Sequence, residues 1–244
     1  MNKLVLITGG SRGIGAGLAA AFADAGYQVA ITYCHNKSGA DSLASRWGDR
    51  VAAFALDQSN PESINQCVTD IETHFKRPVE VLINNAAIAQ EKPFGEITAD
   101  DFSLMMNTNL RGPFLLAQTC IPAMREHKFG RIINISSIGG QWGGFNQVHY
   151  AAAKAGLINL SQSIAKIYSA EGIRANTIAI GLVATDMTAG ELNTPAGQKK
   201  AAAIPVGRLG TVDDIARIAL FLASKDSDYI SGQTINANGG MYFG

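Results

Sequence analysis

The sequence predicts an α/β fold in which helices cover both faces of a doubly wound, mostly parallel β-sheet. Short apolar runs alternate with longer Ala- and Leu-rich stretches that have helical periodicity. Several of the short runs are apolar nearly throughout, as expected of parallel strands that are buried on both faces. No linker, tandem repeat or low-complexity block interrupts the 244 residues, so we expect a single domain over residues 1–244.

Seven apolar runs are predicted to form the strands of this sheet. In chain order they span residues 3–8, 28–33, 51–56, 79–84, 131–136, 173–179 and 232–236. Three of the helical stretches begin with a Ser or Thr that is followed three residues later by an acid, a pattern typical of helix N-termini. These pairs are Thr98 with Asp101, Thr211 with Asp214, and Ser59 with Glu62. The least regular stretch, about 184–207, is predicted to be a mobile lid over a site.

The composition excludes several classes of function. Lys and Arg total 20, as do Asp and Glu, so no basic surplus favours nucleic-acid or membrane binding. The three cysteines and four histidines lack the spacing of a disulfide framework or a zinc site, and we expect no metal. No apolar run approaches the roughly 18 residues that a membrane span needs. The first run is too short for a signal peptide, and we expect a soluble, cytoplasmic protein.

A glycine-rich turn follows the first predicted strand and opens the next helix. It reads TGGSRGIG over residues 8–15, with Gly9, Gly13 and Gly15 at characteristic spacing. Glycine allows a tight turn in which backbone N–H groups approach a pyrophosphate, and the helix N-terminus favours its negative charge. An ordinary glycine turn is the alternative, but the strand–turn–helix context favours a dinucleotide site.

The end of the second strand indicates which dinucleotide binds. NAD-binding proteins of this class place an acid there to hold the ribose hydroxyls, whereas this chain has Tyr33 and Cys34. Arg12 in the glycine turn could pair with a 2′-phosphate through charge-assisted bonds, which favours NADP. Residues 35–37 could assist, or could be solvated loop residues. Asp57, after the third strand, could accept a hydrogen bond from adenine or cap a helix.

Candidate catalytic side chains follow the fourth and fifth strands. Ser137 follows strand five, and Tyr150 and Lys154 lie four residues apart at the start of a helix. The ends of strands four and five lie beside the crevice of a doubly wound sheet, so Ser137 and Tyr150 are expected to converge. An ammonium near a phenol favours phenolate, so Lys154 is expected to lower the pKa of Tyr150 from about 10. Ser137 would then donate to a carbonyl oxygen that Tyr150 protonates. A surface Tyr–Lys pair is the alternative.

Taken together, these motifs resemble the short-chain dehydrogenase/reductase family over essentially the whole chain. They are Thr8-Gly9-x3-Gly13-x-Gly15, Asn84-Asn85-Ala86-Ala87, Asn109, Ser137 and Tyr150-x3-Lys154. The resemblance implies a Rossmann-type fold and catalysis by Ser137, Tyr150, Lys154 and Asn109. It also implies NADP(H) as the cofactor, held by Gly9, Ser11, Arg12, Gly13, Ile14, Gly15, Asp57, Asn85, Ala86, Tyr150, Lys154, Val183 and Thr185.

Asn109 has a further role implied by the resemblance. It lies in a helical pattern from about 100 to 127, and Pro113 lacks the N–H that would bond the Asn109 carbonyl. We hypothesise that this carbonyl holds a water that connects Lys154 to solvent; a simple helix kink is the alternative. His149 is adjacent to Tyr150 and on a helix would point elsewhere, so we exclude it from catalysis.

The segments at 185–187 and 238–244 resemble those of bacterial 3-oxoacyl-(acyl-carrier-protein) reductases. This implies NADPH-dependent reduction of a 3-oxoacyl thioester carried by acyl-carrier protein or CoA, and a homotetramer. Lys128 matches a carrier-docking position flanking the site entrance, whereas Glu171 at the second position would repel an acidic carrier. Three arginines could compensate: Arg125, Arg131 and Arg174. Two alternatives stay open. The chain could reduce a polyketide, a sugar-like ketone or another ketone, or catalyse the reverse oxidation of an alcohol. It could also be a non-catalytic nucleotide-sensing or scaffold protein.

Two positions depart from the family's usual motifs. Ala87 replaces a glycine, and Ile180-Gly181 replaces Pro-Gly after strand six. The second change predicts a less rigid backbone at Val183 and Thr185. Neither change removes a catalytic group.

Overall fold

The computed structural model describes residues 3–185 and 194–244. Within these ranges seven strands form one parallel sheet in the order β3-β2-β1-β4-β5-β6-β7. The strands are Leu4–Ile7 (β1), Gln28–Tyr33 (β2), Val51–Ala55 (β3), Val81–Asn84 (β4), Gly130–Ser137 (β5), Ile173–Ile180 (β6) and Thr234–Ala237 (β7). The strand order reverses between β1 and β4, which creates a crevice at their carboxyl ends. The predicted doubly wound α/β fold is confirmed.

Helices cover both faces of the sheet. They are Gly13–Asp24 (α1), Lys37–Ala44 (α2), Pro61–Phe75 (α3), Ala99–Met106 (α4), Gly112–Glu126 (α5), Gly139–Trp142 (α6), Val148–Tyr168 (α7), Pro195–Ala202 (α8) and Val212–Ala223 (α9). Along β1, Val5 and Ile7 belong to the core on the α1 and α9 side, and Leu4 and Leu6 to the core on the α3 and α5 side. This burial on both faces explains why the strands are apolar nearly throughout.

Two of the three predicted helix starts are confirmed. Thr98 and Thr211 each form a capping box with the acid three residues later. The third prediction, Ser59, is wrong, because Asn60 caps α3 by accepting from the backbone N–H groups of residues 62 and 63. Pro61 occupies the first helical position, where its missing N–H costs nothing, so the cap must be the residue before it.

The predicted helical stretch at 100–127 is helical throughout, but it contains a π-helical turn. α4 and α5 are joined by a π-helical segment, Asn107–Arg111. Such insertions occur frequently at functional sites. Pro113 is the second residue after the π-helical segment, so the carbonyl of Asn109 has no N–H partner four residues on. The water-holding carbonyl and the simple kink both stay predictions.

The structure covers only part of the predicted lid, and the described residues can be searched for a metal site and a membrane span. Residues 186–193 of the predicted lid lie outside the described residues, and its mobility stays a prediction. No helix within residues 3–185 and 194–244 is long and apolar enough to cross a membrane. In the same ranges no three His, Cys, Asp or Glu side chains are grouped to hold a metal ion.

Candidate active site

The glycine turn after β1 packs directly against the turn after β4. Gly9 has a φ of 67°, in the left-handed region that favours glycine, and a Cβ there would lie 2.9 Å from the Cα of Ala86. The hydroxyl oxygen of Thr8 accepts from the backbone N–H groups of Asn85 at 3.0 Å and Ala86 at 2.9 Å. The two turns that border the crevice therefore form one rigid unit.

The N-terminus of α1 is suited to an anion. Its N-cap residue, Arg12, makes no side-chain capping bond, and the first turn contains no acid. The N–H groups of this turn lack intrahelical acceptors, and the helix dipole adds positive charge. Gly13 has a φ of 54°, and a Cβ there would lie 3.8 Å from the Thr185 side chain. This arrangement fits the pyrophosphate of a dinucleotide, and Ser11, Ile14 and Gly15 belong to the same turn.

The structure separates the candidates for binding a 2′-phosphate. The Asn36 side chain caps α2 by accepting from the Gly39 N–H at 3.0 Å. Lys37 forms an ion pair with Asp41 at 2.6 Å. Arg12 and His35 are exposed and have no such structural role among the described contacts.

Asp57 lies just after β3, and it does not cap α3. One of its carboxylate oxygens accepts from the backbone N–H of Ser59 at 2.9 Å and from its hydroxyl at 2.7 Å. These bonds hold the pKa of Asp57 below its ordinary value. The helix-cap alternative is therefore wrong, and the adenine contact stays a prediction.

The predicted convergence of Ser137 and Tyr150 is observed. Ser137 ends β5 and Tyr150 is the third residue of α7. Their side chains are close enough for Ser137 to oppose the rise in the Tyr150 pKa that burial causes. The Ser137 oxygen also accepts from the Gly139 N–H at 3.1 Å. Lys154 is buried one turn further along α7, with its Nζ 5.5 Å from the centroid of the Tyr150 ring. These three side chains form a compact polar group beside the crevice.

The pKa expectation for Tyr150 is wrong in this geometry. Burial raises the pKa of Tyr150 to about 12, and the Ser137 hydrogen bond opposes this rise only in part. Burial lowers the pKa of Lys154 to about 8, and its Nζ donates to the Ile135 carbonyl at 2.7 Å. Desolvation of the phenol, rather than the ammonium four residues further on, thus determines the direction of the shift in its pKa. A phenol with this pKa is protonated at neutral pH, the state that a proton donor requires.

Asn109 is buried in the π-helical segment and is held by both of its amide atoms. Its Oδ1 accepts from the Ile88 N–H at 2.9 Å, and its Nδ2 donates to the Ile88 carbonyl at 2.8 Å. The side chain therefore anchors the segment that follows β4. The water between the Asn109 carbonyl and Lys154 stays a prediction.

Gln58 is a residue of this site that sequence reasoning missed. It is buried after β3, and its Nε2 donates to the carbonyls of Ala86 at 2.9 Å and Thr108 at 2.7 Å. It thereby connects the turn after β4 with the π-helical segment. Its position just after the predicted third strand could have identified it as a residue of this site.

Val183 and Thr185 follow β6 at the same edge of the sheet. Val183 is buried and forms a parallel bridge with Gly210. Ile180 still belongs to β6, and its carbonyl accepts from the Ile138 N–H at 2.9 Å. A Cβ at Gly181 would lie 2.8 Å from the Cα of Asn238, so this position is closely packed although proline is absent.

Lys128 does not flank the site within one chain, contrary to expectation. It precedes β5, whereas Ser137 ends it, and an eight-residue strand spans roughly 25 Å. Glu171 precedes β6 at the same distant edge and pairs with Arg125 at 2.6 Å, so Arg125 does compensate its charge.

The other two arginines do not compensate for Glu171. Arg131 is 1% exposed and pairs with Asp228. Arg174 donates to the carbonyls of Asp228 at 2.6 Å and Ser169 at 2.8 Å. Both guanidinium groups hold the fold together.

Comparison with known proteins gives full-length similarities. Residues 9–242 match the profile of a family described as enoyl-(acyl carrier protein) reductase. An acetoacetyl-CoA reductase from Shinella zoogloeoides is 40% identical over 243 residues, covering 100% of both chains. A 3-oxoacyl-(acyl-carrier-protein) reductase from Vibrio cholerae is 39% identical over 99% of this chain and 98% of its own. One from Mycobacterium tuberculosis is 38% identical over 100% of this chain and 94% of its own.

Proposed function

The chain belongs to the short-chain dehydrogenase/reductase family of oxidoreductases, and we propose that it reduces a 3-oxoacyl thioester to the 3-hydroxyacyl thioester with NADPH. The observation that carries this proposal is the convergence of the Ser137 and Tyr150 side chains beside a buried Lys154. Two hydroxyl donors that converge at one point suit a carbonyl oxygen. The names of relatives that match over the full chain support a thioester with a 3-oxo group.

The chemistry requires one proton from the protein. A nicotinamide cofactor held at the glycine turn would supply the hydride to the carbonyl carbon. Ser137 donates a hydrogen bond to the carbonyl oxygen, and Tyr150 gives its phenolic proton to that oxygen as the C=O π bond breaks. Lys154, whose pKa of about 8 leaves most of it charged at neutral pH, stabilises the phenolate that remains. A proton taken up from solvent restores the phenol.

NADP, rather than NAD, is proposed from the residues around the end of β2. Tyr33 and Cys34 stand where an NAD-binding protein would place a carboxylate. Arg12 and His35 are both exposed, and they lie on the turns that follow the neighbouring strands β1 and β2. An exposed guanidinium suits a phosphate.

We also propose a cytoplasmic homotetramer. The helices that expose large apolar side chains include α4, α5 and α7, and such side chains mark surfaces for association. They include Phe102 and Leu104 on α4, Phe114 on α5 and Ile167 on α7. All three cysteines lie in the described part of the chain and carry free thiols, as is usual in reducing compartments. Light scattering after gel filtration should give four chain masses, and a monomer would contradict the assembly.

The test of function is NADPH oxidation with a panel of substrates. Acetoacetyl-CoA and an acetoacetyl-carrier protein test the proposed substrate and its carrier. Simple ketones test the broader ketone reductases, and crotonyl-CoA tests the double-bond reduction named in the matching family description. The proposal predicts turnover with the acetoacetyl thioesters, none with crotonyl-CoA, and a preference for NADPH over NADH. Nucleotide binding without turnover of any substrate would instead favour a nucleotide-sensing protein.

A further inference from the structure

The segment of residues 88–92, after β4, is bonded to two catalytic elements. At one end, Ile88 exchanges two backbone hydrogen bonds with the Asn109 side chain, at 2.9 and 2.8 Å. At the other end, the Lys92 N–H donates to the carbonyl of Asn146 at 2.7 Å, just before α7. The 88–92 segment therefore joins the π-helical segment to the start of the helix that carries Tyr150.

Gln90, in the middle of this segment, is fixed by a charged partner. Its Nε2 donates to one carboxylate oxygen of Asp101 at 3.0 Å, and the other oxygen pairs with Lys92 at 2.6 Å. Asp101 itself belongs to the capping box of α4. The Gln90 amide therefore cannot rotate without losing an N–H bond to a carboxylate.

This orientation determines the tautomer of His149. The Gln90 Oε1 lies 2.9 Å from the Nε2 of His149. A carboxylate only accepts, so the Gln90 NH₂ faces Asp101 and its carbonyl oxygen must accept from the ring. His149 therefore carries its proton on Nε2 and donates to Gln90.

The first turn of α7 lacks the usual capping groups, so the hydrogen bond between His149 and Gln90 contributes more to its order than it would at a capped helix start. Its N-cap residue, Gln147, makes no side-chain capping bond, and no acid stands in the first turn. Uncapped first turns leave N–H groups without partners and fray most easily. His149 is fully buried and is the second helical residue, and Tyr150 is the third. Successive helical residues point about 100° apart, so His149 can hold the turn while Tyr150 faces Ser137.

We propose that His149 and Gln90 are positioning residues for proton delivery, and that their hydrogen bond fixes the first turn of α7 so that the Tyr150 hydroxyl stays on Ser137. Neither residue donates a proton to the substrate. The inference rests on the proposed reductase function.

The test removes the bond from each side. His149→Phe keeps the volume of a ring but has no N–H, Gln90→Leu removes the acceptor, and His149→Gln retains an N–H donor. Because small misplacements of a reacting group are costly, we expect kcat to fall about tenfold in the first two variants. The KM for NADPH should stay within about twofold, and the solvent deuterium isotope effect on kcat should increase. His149→Gln should recover most of the activity, and the double variant should be no worse than either single one.

Matched controls lie away from the site. His127→Phe and Gln66→Leu make the same chemical changes at exposed positions and should leave kcat unchanged. Absence of turnover in the wild-type protein would refute the proposed function. Wild-type turnover, with folded His149→Phe and Gln90→Leu variants both within twofold of its kcat, would refute the positioning role alone. If His149→Phe does not fold by circular dichroism, Gln90→Leu decides the question.

Discussion

Replacing Lys154 with methionine should make the protein more stable while it abolishes turnover. Burial lowers the pKa of Lys154 from 10.5 to about 8. One pKa unit corresponds to about 1.4 kcal/mol, so the buried charge costs on the order of 3 kcal/mol at neutral pH. Lys154→Met removes this cost but leaves the Ile135 carbonyl without its donor, a loss of about 1–2 kcal/mol. The net gain at pH 7 is therefore expected to be about 1–2 kcal/mol.

The pH dependence of this gain follows from the depressed pKa. Between about pH 8 and 10.5 the unfolded state binds the Lys154 proton and the folded state does not, so the wild-type protein regains stability as pH rises. The advantage of Lys154→Met should be full below about pH 8 and should shrink toward pH 10. Urea unfolding of both proteins at pH 7 and pH 9.5 measures it, because other titrating groups affect both alike. A variant less stable at pH 7, or a difference independent of pH, would refute the reasoning.

Arg12→Ala should raise the KM for NADPH about tenfold and leave the KM for NADH unchanged, because only NADPH carries the 2′-phosphate. Arg46→Ala, at another exposed arginine, is the control in the same kinetic assay. Equal effects on both nucleotides would contradict the assignment. Gly17→Ala should destabilise the fold by about 1–2 kcal/mol in urea unfolding, because the added Cβ would overlap Val212 at the contact of α1 with α9. Gly95→Ala, where a Cβ meets nothing within 4 Å, should be neutral, and an equal loss at both positions would count against this packing argument.

Features that depend on local pattern were predictable from the sequence. Strands buried on both faces are apolar throughout, and the capping boxes at Thr98 and Thr211 need only residues three apart. Ser137 and Tyr150 could be brought together because the strand order of this fold places their elements side by side.

Features that depend on competition between neighbouring residues, or on burial, could not be predicted from the sequence. Asn60, rather than Ser59, caps α3 because Pro61 fixes where the helix begins. The pKa of Tyr150 depends on how deeply the phenol is buried, which the four-residue spacing to Lys154 does not reveal. The pairing of Gln90 with His149 spans 59 residues, which no local pattern reveals. The edge on which Lys128 lies, by contrast, could have been derived from its place before the predicted fifth strand.

The central claim is that the Tyr150 phenol supplies the proton that completes carbonyl reduction. Tyr150→Phe removes only that hydroxyl, and the variant's NADPH oxidation with acetoacetyl-CoA, compared with the wild-type rate in the same assay, tests the claim most directly. General acid catalysis contributes about 10²–10⁴-fold, so we predict a loss of kcat in that range in a variant with unchanged circular dichroism. Turnover within a few-fold of the wild-type rate would contradict the claim.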